Sequence, residues 1–344
     1  MIDWVDFSAP LRHDIGEGTP FYNGEVLSVA PDGGLDWGIF KRMDLEGSHS
    51  SKIQIRSSSM VDGSQAVRVS GNLVKWFQGH NIYGSADLFG LILEALSRVC
   101  EVCKITPTDD ELFQWKNGCI ELLRVDVTKS VDFGNKQRVL NALRSLDSTA
   151  NLKYRGRGQF NGHSLLFGKG SRHWSCTLYS KGAEIEKHKL PPSLAETSLP
   201  SIADGLLRIE FRLLSMHLKG LGLASLGAWN DNTVDEVHQS HLQQLQISDT
   251  TMLDADTLHS LPPKLQLVYQ TWKDGHDLRA MFPARTFYNY RKSLLALGID
   301  ISVKQERKNS NVVHLPVVLA GQPFVLPEWA MNAPYYFTPR HNAL

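Results

Sequence analysis

The chain is predicted to fold as an α+β protein in which an antiparallel sheet occupies the first two thirds and helices the last third. Short β-forming runs with period-2 alternation recur between residues 2 and 214, punctuated by turn residues. Helical spacing of any length interrupts them at only two places, 86–103 and 135–145. After about Leu214 the apolar pattern turns helical and remains so to about residue 300. A length of 344 residues suits two domains better than one, and the change of pattern divides them into 1–214 and 215–344.

Taken in order, strands are expected near 2–8, 24–30, 36–44, 50–57 and 65–70. Turns are marked by Pro31, Asp32, Gly33 and Gly34 and by Asp62 and Gly63. The segment GHNIYGS at 79–85 leads into the helix from Ala86 to Cys103, whose first turn carries Asp87, a charge the helix dipole favours. A second helix is expected from Asn135 to Ser145. Three strands with polar faces are centred near Asp126, Tyr179 and Glu210, and Pro191 and Pro192 break the chain before a short helix leading into the last of them. Beyond Leu214, residues 215–229, 234–247 and 264–275 read as helices. Residues 277–300 form a short helix, a proline turn and a longer helix carrying Arg285, Tyr288, Arg291 and Lys292, the outline of a helix-turn-helix. A packed helical hairpin filled by Phe287, Tyr290 and Leu294 is the plainer reading of the same pattern. The runs NVVHLPVVLA and QPFVLP at 311–320 and 322–327 are expected as strands of a wing or of the main sheet.

The polar strand faces carry the chemistry. In ELLRVDVT, Arg124, Asp126 and Thr128 share one face; in LLRIEFRL, Arg208, Glu210 and Arg212 do. In WSCTLYSK, Thr177, Tyr179 and Lys181 fall together, opposite Cys176 and Leu178. Carboxylates inside β-forming runs are costly unless paired or bound to a metal, so a salt-bridge ladder is the plain interpretation. Placed in one sheet, the same residues offer a nucleophile in Tyr179, hard oxygen ligands for Mg2+ or Mn2+ in Asp126 and Glu210, and positive charge for a phosphate. A tyrosine hydroxyl attacks poorly near its usual pKa of about 10, so a neighbouring cation such as Lys181 or a metal-held electrophile is needed. His80, between glycines 79 and 84, is a candidate metal ligand, a candidate for positioning the scissile phosphate, or simply a turn cap.

Composition is ordinary for a soluble globular protein, with 42% hydrophobic and 21% charged residues. No run approaches the roughly 18 apolar residues of a membrane span, and no signal-peptide pattern opens the chain. The expected location is cytoplasmic. Cys100 and Cys103 form a CxxC, but Cys119 and Cys176 supply no second pair, so buried free thiols are expected. The 36 basic and 36 acidic residues cancel overall, yet between 151 and 190 eight Lys and Arg face two acids, Glu184 and Glu186. That surplus of six surrounds Tyr179 in sequence and favours a phosphodiester substrate.

The segments MIDWVDF, VSGNLVKWFQGHNIYGSADL at 69–88, RVDVT, GSRHWSCTLYSKGAEIEKH, LLRIEFR and RTFYNYRKSLLALGID resemble, in order, the gene II/X-type replication initiators of filamentous bacteriophages. These are relatives of the rolling-circle Rep nucleases of the HUH type. The resemblance implies an HUH-like endonuclease domain over 1–214 and a helical, DNA-binding domain over 215–344. It makes Tyr179 the DNA-cleaving tyrosine, with Lys181 and Glu184 in step, and His80 part of a metal set with Asp126 and Glu210. The His-hydrophobe-His triplet of the wider superfamily is missing among the thirteen histidines. DNA contacts are expected from Arg124, Lys153, Arg155, Arg157, Lys169, Arg172, Arg208, Arg285, Arg291 and Lys292, and Tyr154 is the candidate second tyrosine. The implied activity is nicking of one origin strand, later rejoining of the displaced strand, and partnership with duplex and single-stranded origin DNA in the cytoplasm of a bacterial host. A host helicase, polymerase and single-strand-binding protein complete the implied partners, and no membrane is involved. A noncatalytic origin-binding protein or repressor is the alternative.

Overall fold

The computed structural model describes residues 1–13, 24–60, 62–152, 156–247, 255–297, 299–302 and 321–340. Its strands are β1 Ile2–Pro10, β2 Glu25–Val29, β3 Leu35–Phe40, β4 Met43–Glu46, β5 Lys52–Ser59, β6 Gln65–Gly71, β7 Glu121–Asp132, β8 Ala150–Leu152, β9 Gly156–Arg157, β10 Gln159–Phe160, β11 Ser164–Phe167, β12 Trp174–Ser180, β13 Leu206–Leu214, β14 Leu245–Ile247 and β15 Gln322–Pro323. Ten of them form one sheet in the order β10-β11-β12-β13-β7-β1-β6-β5-β4, with β15 beside β7. Its pairings are antiparallel, as the alternating runs predict. The run expected as one strand over 36–44 divides: β3 pairs with β2 in a separate hairpin, and only β4 enters the main sheet.

One face of the sheet is apolar because every second residue is. Val5, Phe7 and Ala9 of β1, Leu122, Val125 and Val127 of β7, Cys176 and Leu178 of β12, and Leu207, Phe211 and Leu213 of β13 are all buried. Helices Leu88–Cys103 and Lys136–Thr149 share that core through Leu91, Ala95, Leu96 and Val99 and through Val139, Ala142, Leu143 and Leu146. Asp87 lies just outside the first turn and caps it, accepting from the Gly90 amide at 2.8 Å. The cysteines are free thiols as expected, three buried and Cys119 exposed. A helix at Asp109–Lys116, not expected from the sequence, starts at a capping box in which Thr108 and Glu111 bond each other's backbone amides.

The division at 214 does not survive in the packing. Helices Ser215–Gly220 and Thr233–Leu242 place Leu218, Val234 and Val237 in the sheet's own core, together with Leu226 and Trp229. A separate helical unit does exist, but it spans 255–302. Its core is Val268, Tyr269, Trp272, Leu278, Phe287, Leu294, Ile299 and Ile301. The chain then returns to the sheet: Gln322 pairs with Asp132 and Pro323 with Val131. Phe337 stacks on Phe77 with ring centroids 4.1 Å apart, and Arg340 bonds the Glu94 carboxylate at 2.6 and 3.2 Å. QPFVLP thus begins with a short strand of the main sheet, whereas NVVHLPVVLA lies outside the described residues. Among those described, no helix is long and apolar enough to cross a membrane.

Candidate active site

The register of β12, β13 and β7 assembles the polar face. Tyr179 lies opposite Arg208 and Arg208 opposite Ser130; Thr177, Glu210 and Thr128 form the next row, and Ser175, Arg212 and Asp126 the one after. Directly opposed residues of an antiparallel ladder project to the same side, so Tyr179, Glu210 and Asp126 share a face as the alternation predicts. The Tyr179 hydroxyl donates to Glu210 Oε2 at 3.4 Å. Arg212 reaches across both acids, with Nε 3.5 Å from Asp126 Oδ2 and a terminal nitrogen 3.8 Å from Glu210 Oε1. Its side chain is 43% exposed, which makes it the accessible cation of the cluster. Arg124 holds Asp126 with a two-pronged bond, Nε to Oδ1 at 2.8 Å and the second prong to Oδ2, and lies 5.0 Å over the Trp4 ring.

Two residues without an assigned role in the sequence reading complete the site. The register of β1 on β7 shifts between Ile2 and Val5, and Asp3 sits in that irregularity, a device that re-aims a side chain. Asp3 Oδ1 accepts from the side-chain amides of Asn72 and Asn81, each at 2.7 Å. Asn81 in turn accepts from Lys181 Nζ at 2.7 Å. The GHN segment therefore reaches the site through its asparagine. It begins at Gly79, whose φ of 86° ends helix Leu73–Gln78 in the left-handed conformation glycine tolerates.

Packing so many charges together moves their equilibria. Burial, reinforced by Asp126 and Asp3, pushes the Glu210 carboxyl up to about 8 against the pull of Arg212 and Arg208. Burial likewise raises Asp126 against Arg124 and Arg212. The Tyr179 phenol is held well above its usual value by burial, with Arg208 lowering it and Glu210, Asp3 and Glu184 raising it further. The resting tyrosine is therefore protonated.

Several expected roles change. Lys181 is not on the Tyr179 strand face: β12 ends at Ser180, whose hydroxyl caps helix Lys181–Lys187, so the alternation stops one residue early. Its ammonium is fully buried between Asn81 and Glu184 Oε2, the latter at 2.6 Å, and burial lowers it to about 8. Arg208 is also fully buried, its guanidinium bonding the carbonyls of Asn81 and Ile82, so it fastens the loop and cannot grip DNA. His80 shares no contact with the carboxylates. Its Nδ1 accepts from the Ile82 amide at 3.3 Å and its Nε2 faces the Tyr335 carbonyl at 3.0 Å; burial keeps it neutral, with a pKa near 4. Both ring nitrogens are thereby used. Asp126 is clasped by Arg124, and among the described residues no group of three or more His, Cys, Asp or Glu side chains is arranged to hold a metal ion.

The other expected DNA contacts sort by environment. Arg124 is committed to Asp126, Arg157 to the Asp147 carbonyl at 3.1 and 3.2 Å, and Arg291 to Asp300 at 2.6 and 2.7 Å. Lys169 and Arg172 are exposed between β11 and β12, and Arg285 and Lys292 on helix Ala284–Leu295. Lys153, Tyr154 and Arg155 lie outside the described residues.

A family model for the N-terminal part of the gene II-type replication-associated protein matches residues 1–232, and one for the C-terminal part of the same protein matches 254–334. A curated relative, the replication-associated protein of this type from Enterobacteria phage I2-2, is 34% identical over 334 residues, 95% of each chain. Among solved structures, a rolling circle replication initiator protein from Geobacillus stearothermophilus is similar at a TM-score of 0.35 and 14% identity, covering 76% of this chain and 91% of that one.

Proposed function

The chain belongs to the family of gene II-type replication-associated proteins, and from that premise we propose that it starts rolling-circle replication by nicking one strand of an origin with Tyr179. The observation that carries this reading is the Tyr179 hydroxyl bonded to a proton-hungry Glu210, with the exposed fork of Arg212 beside both. In this mechanism Glu210, once ionised, takes the phenolic proton as general base. The phenolate oxygen then forms a bond to the scissile phosphorus while the bond from phosphorus to the 3′ oxygen breaks. The products are a 5′-phosphotyrosyl link and, once that oxygen gains a proton, a 3′-hydroxyl for a polymerase to extend. Arg212 offers two donors to the phosphate as charge accumulates on it. Lys181 and Asn81 act through position, fastening the loop at 79–85 under the strand that carries Tyr179. Reversal of the same exchange rejoins the displaced strand.

Supercoiled plasmid bearing the origin tests this directly. Nicked product with a covalent adduct on the Tyr179 peptide supports it; a gel shift without nicking, with or without Mg2+ or Mn2+, leaves only the origin-binding reading.

The Glu210 assignment predicts opposite pH trends for activity and stability. Single-turnover nicking should rise with pH as Glu210 loses its proton, levelling above about 8. Glu210→Gln should be slower by roughly 10²–10⁴-fold, the usual contribution of a general base, with a flat profile through that range. For stability the sign reverses: the folded carboxyl keeps its proton where the unfolded one has released it. Unfolding is therefore favoured progressively from the ordinary carboxylate range up to about 8. Urea titrations across that range should show this slope in the parent and a smaller one in Glu210→Gln.

Duplex origin affinity is assigned in part to the helical unit. Neutralising Arg285 and Lys292 to Gln should make the logarithmic salt dependence of duplex binding shallower by about 2, as two phosphate contacts vanish. Cleavage of a short single-stranded origin oligonucleotide should persist. Unchanged duplex binding would remove this unit from the interface.

A further inference from the structure

The polar face that carries Tyr179 does not end at β7. It runs on across β1, β6, β5 and β4, and three arginines gather on its far half. Arg56 of β5 lies directly opposite Arg68 of β6, which in turn faces Ser8 of β1. The intervening Ile55, Val67 and Val69 are buried in the core, so both guanidinium groups stand on the polar side. Arg42, exposed just before β4, joins them by donating to Gln54 Oε1 at 3.1 Å, and Gln54 is two residues from Arg56 on the same face.

Like charges directly opposed on a sheet repel one another. Arg68 is compensated, because its Nε and a terminal nitrogen donate to the Asp6 carboxylate at 2.7 and 2.6 Å. Arg56 is not: among the described residues no acceptor or acid pairs with its guanidinium. Burial and the charges of Arg68 and Arg42 push it below its ordinary pKa, with Asp6 drawing it up, yet an arginine stays charged there. A half-buried cation beside two others and without a counter-charge is what an external anion completes, and a phosphate matches the guanidinium fork.

The far half is joined to the candidate active site. Trp4 donates from its indole to Ser70 Oγ on β6 at 3.3 Å and lies under the same Arg124 that clasps Asp126. Arg212 on β13 and Arg56 on β5 are four strands apart, roughly 19 Å across the sheet at the usual strand spacing. One isolated phosphate cannot touch both, whereas an extended nucleic-acid strand can. A flexible single strand can follow this twisted face; a stiff duplex meets it over only part of that span.

Building on the nicking role given to Tyr179, we propose that Arg56, with Arg42 beside it, binds a backbone phosphate of single-stranded origin DNA several nucleotides from the scissile bond. Arg68 adds to the field while keeping Asp6. Phosphate contacts set register and carry no base information. The subsite therefore acts as a ruler: it holds the strand at a fixed distance from Tyr179 and leaves the choice of bases to other contacts.

The test uses the full chain and single-stranded origin oligonucleotides of graded length, with binding read by fluorescence anisotropy. On a long strand Arg56→Gln should bind about tenfold more weakly, and its logarithmic salt dependence should be shallower by about 0.7, the share of one phosphate on a single strand. In single-turnover cleavage the loss should fall on KM and not on kcat. An oligonucleotide too short to reach β5 should not discriminate between parent and variant. Replacing phosphates one at a time by neutral methylphosphonate should reveal one position that matters to the parent and no longer to Arg56→Gln. The free variant should melt at or above the parent's temperature, because a repulsion across the ladder is gone; a purely structural arginine would lower it. Parental affinity and salt slope on the long strand overturn the proposal, as does an equal loss on the short one or a larger loss on duplex. Should Arg56→Gln fail to fold, Arg42→Gln at its exposed position decides: a reduced effect of that same methylphosphonate upholds the subsite, and an unchanged one overturns it. The binding arms are repeated on Tyr179→Phe, so they stand or fall whether or not Tyr179 proves to be the nucleophile.

Discussion

Replacing Tyr179 with phenylalanine is expected to reduce nicking to background, a loss of at least about 10⁴-fold, the scale on which removal of an attacking group acts. The change deletes one oxygen. The half-buried ring and its place between Ser164 and Arg208 in the ladder are retained, so origin binding and the melting transition should stay close to the parent's. Stability can even rise slightly, since the hydroxyl's partner Glu210 stays protonated over much of the neutral range. The measurement is a single-turnover cleavage assay beside a filter-binding titration on the same preparation. Residual nicking with an adduct on another tyrosine would relocate the nucleophile.

The largest expected effect on stability belongs to Arg208. Full burial opposes its charge, and the neighbouring acids Asp3 and Glu184 favour it. Its guanidinium also satisfies the carbonyls of Asn81 and Ile82. Arg208→Leu strands those two carbonyls, a loss of roughly 2–6 kcal/mol at about 1–3 kcal/mol for each buried acceptor left unsatisfied. That is a large part of the 5–15 kcal/mol typical of a folded domain. Urea unfolding should report it, whereas Arg285→Gln on the exposed helix should fall within about 0.5 kcal/mol of the parent. Equal stabilities would mean that Arg208 is a surface contact after all.

The sequence disclosed the site where strand periodicity governs it and misled where that periodicity stops. Asp126, Glu210 and Tyr179 lie mid-strand, so alternation alone places them on one face. Lys181 follows in the same two-residue count, but Ser180 caps a helix there and the lysine swings inward to Asn81. Asp3 is invisible to alternation because the irregularity in β1 breaks the count, and Asn81 because a loop has no period. The arginines of the polar faces were legible as cations but not as to their partners; only the packing shows that Arg208 turns toward backbone carbonyls while Arg212 stays half in water. Helical spacing after Leu214 holds at Ser215–Gly220, Thr233–Leu242 and Pro263–Lys273 but fails at Leu245–Ile247, which form a strand paired with β8, and spacing does not say which core a helix joins: Leu218, Val234 and Val237 join the sheet's.

The return of the chain to β7 at Gln322 makes the helical unit an insertion, entered and left from the same sheet scaffold. A stop codon placed after residue 302 is then no domain deletion: it strips β15 from beside the end of β7, removes the ring stacked on Phe77 and leaves Glu94 without its arginine. Excision of 255–302 with a short join is the clean operation. By the same logic the unit is exchangeable. A graft of another member's 255–302 equivalent between the same two anchor points leaves the Tyr179 face, its loop clamp and the C-terminal closure untouched; under the proposed function, origin preference then changes by recombination while the proposed nicking chemistry is inherited unchanged.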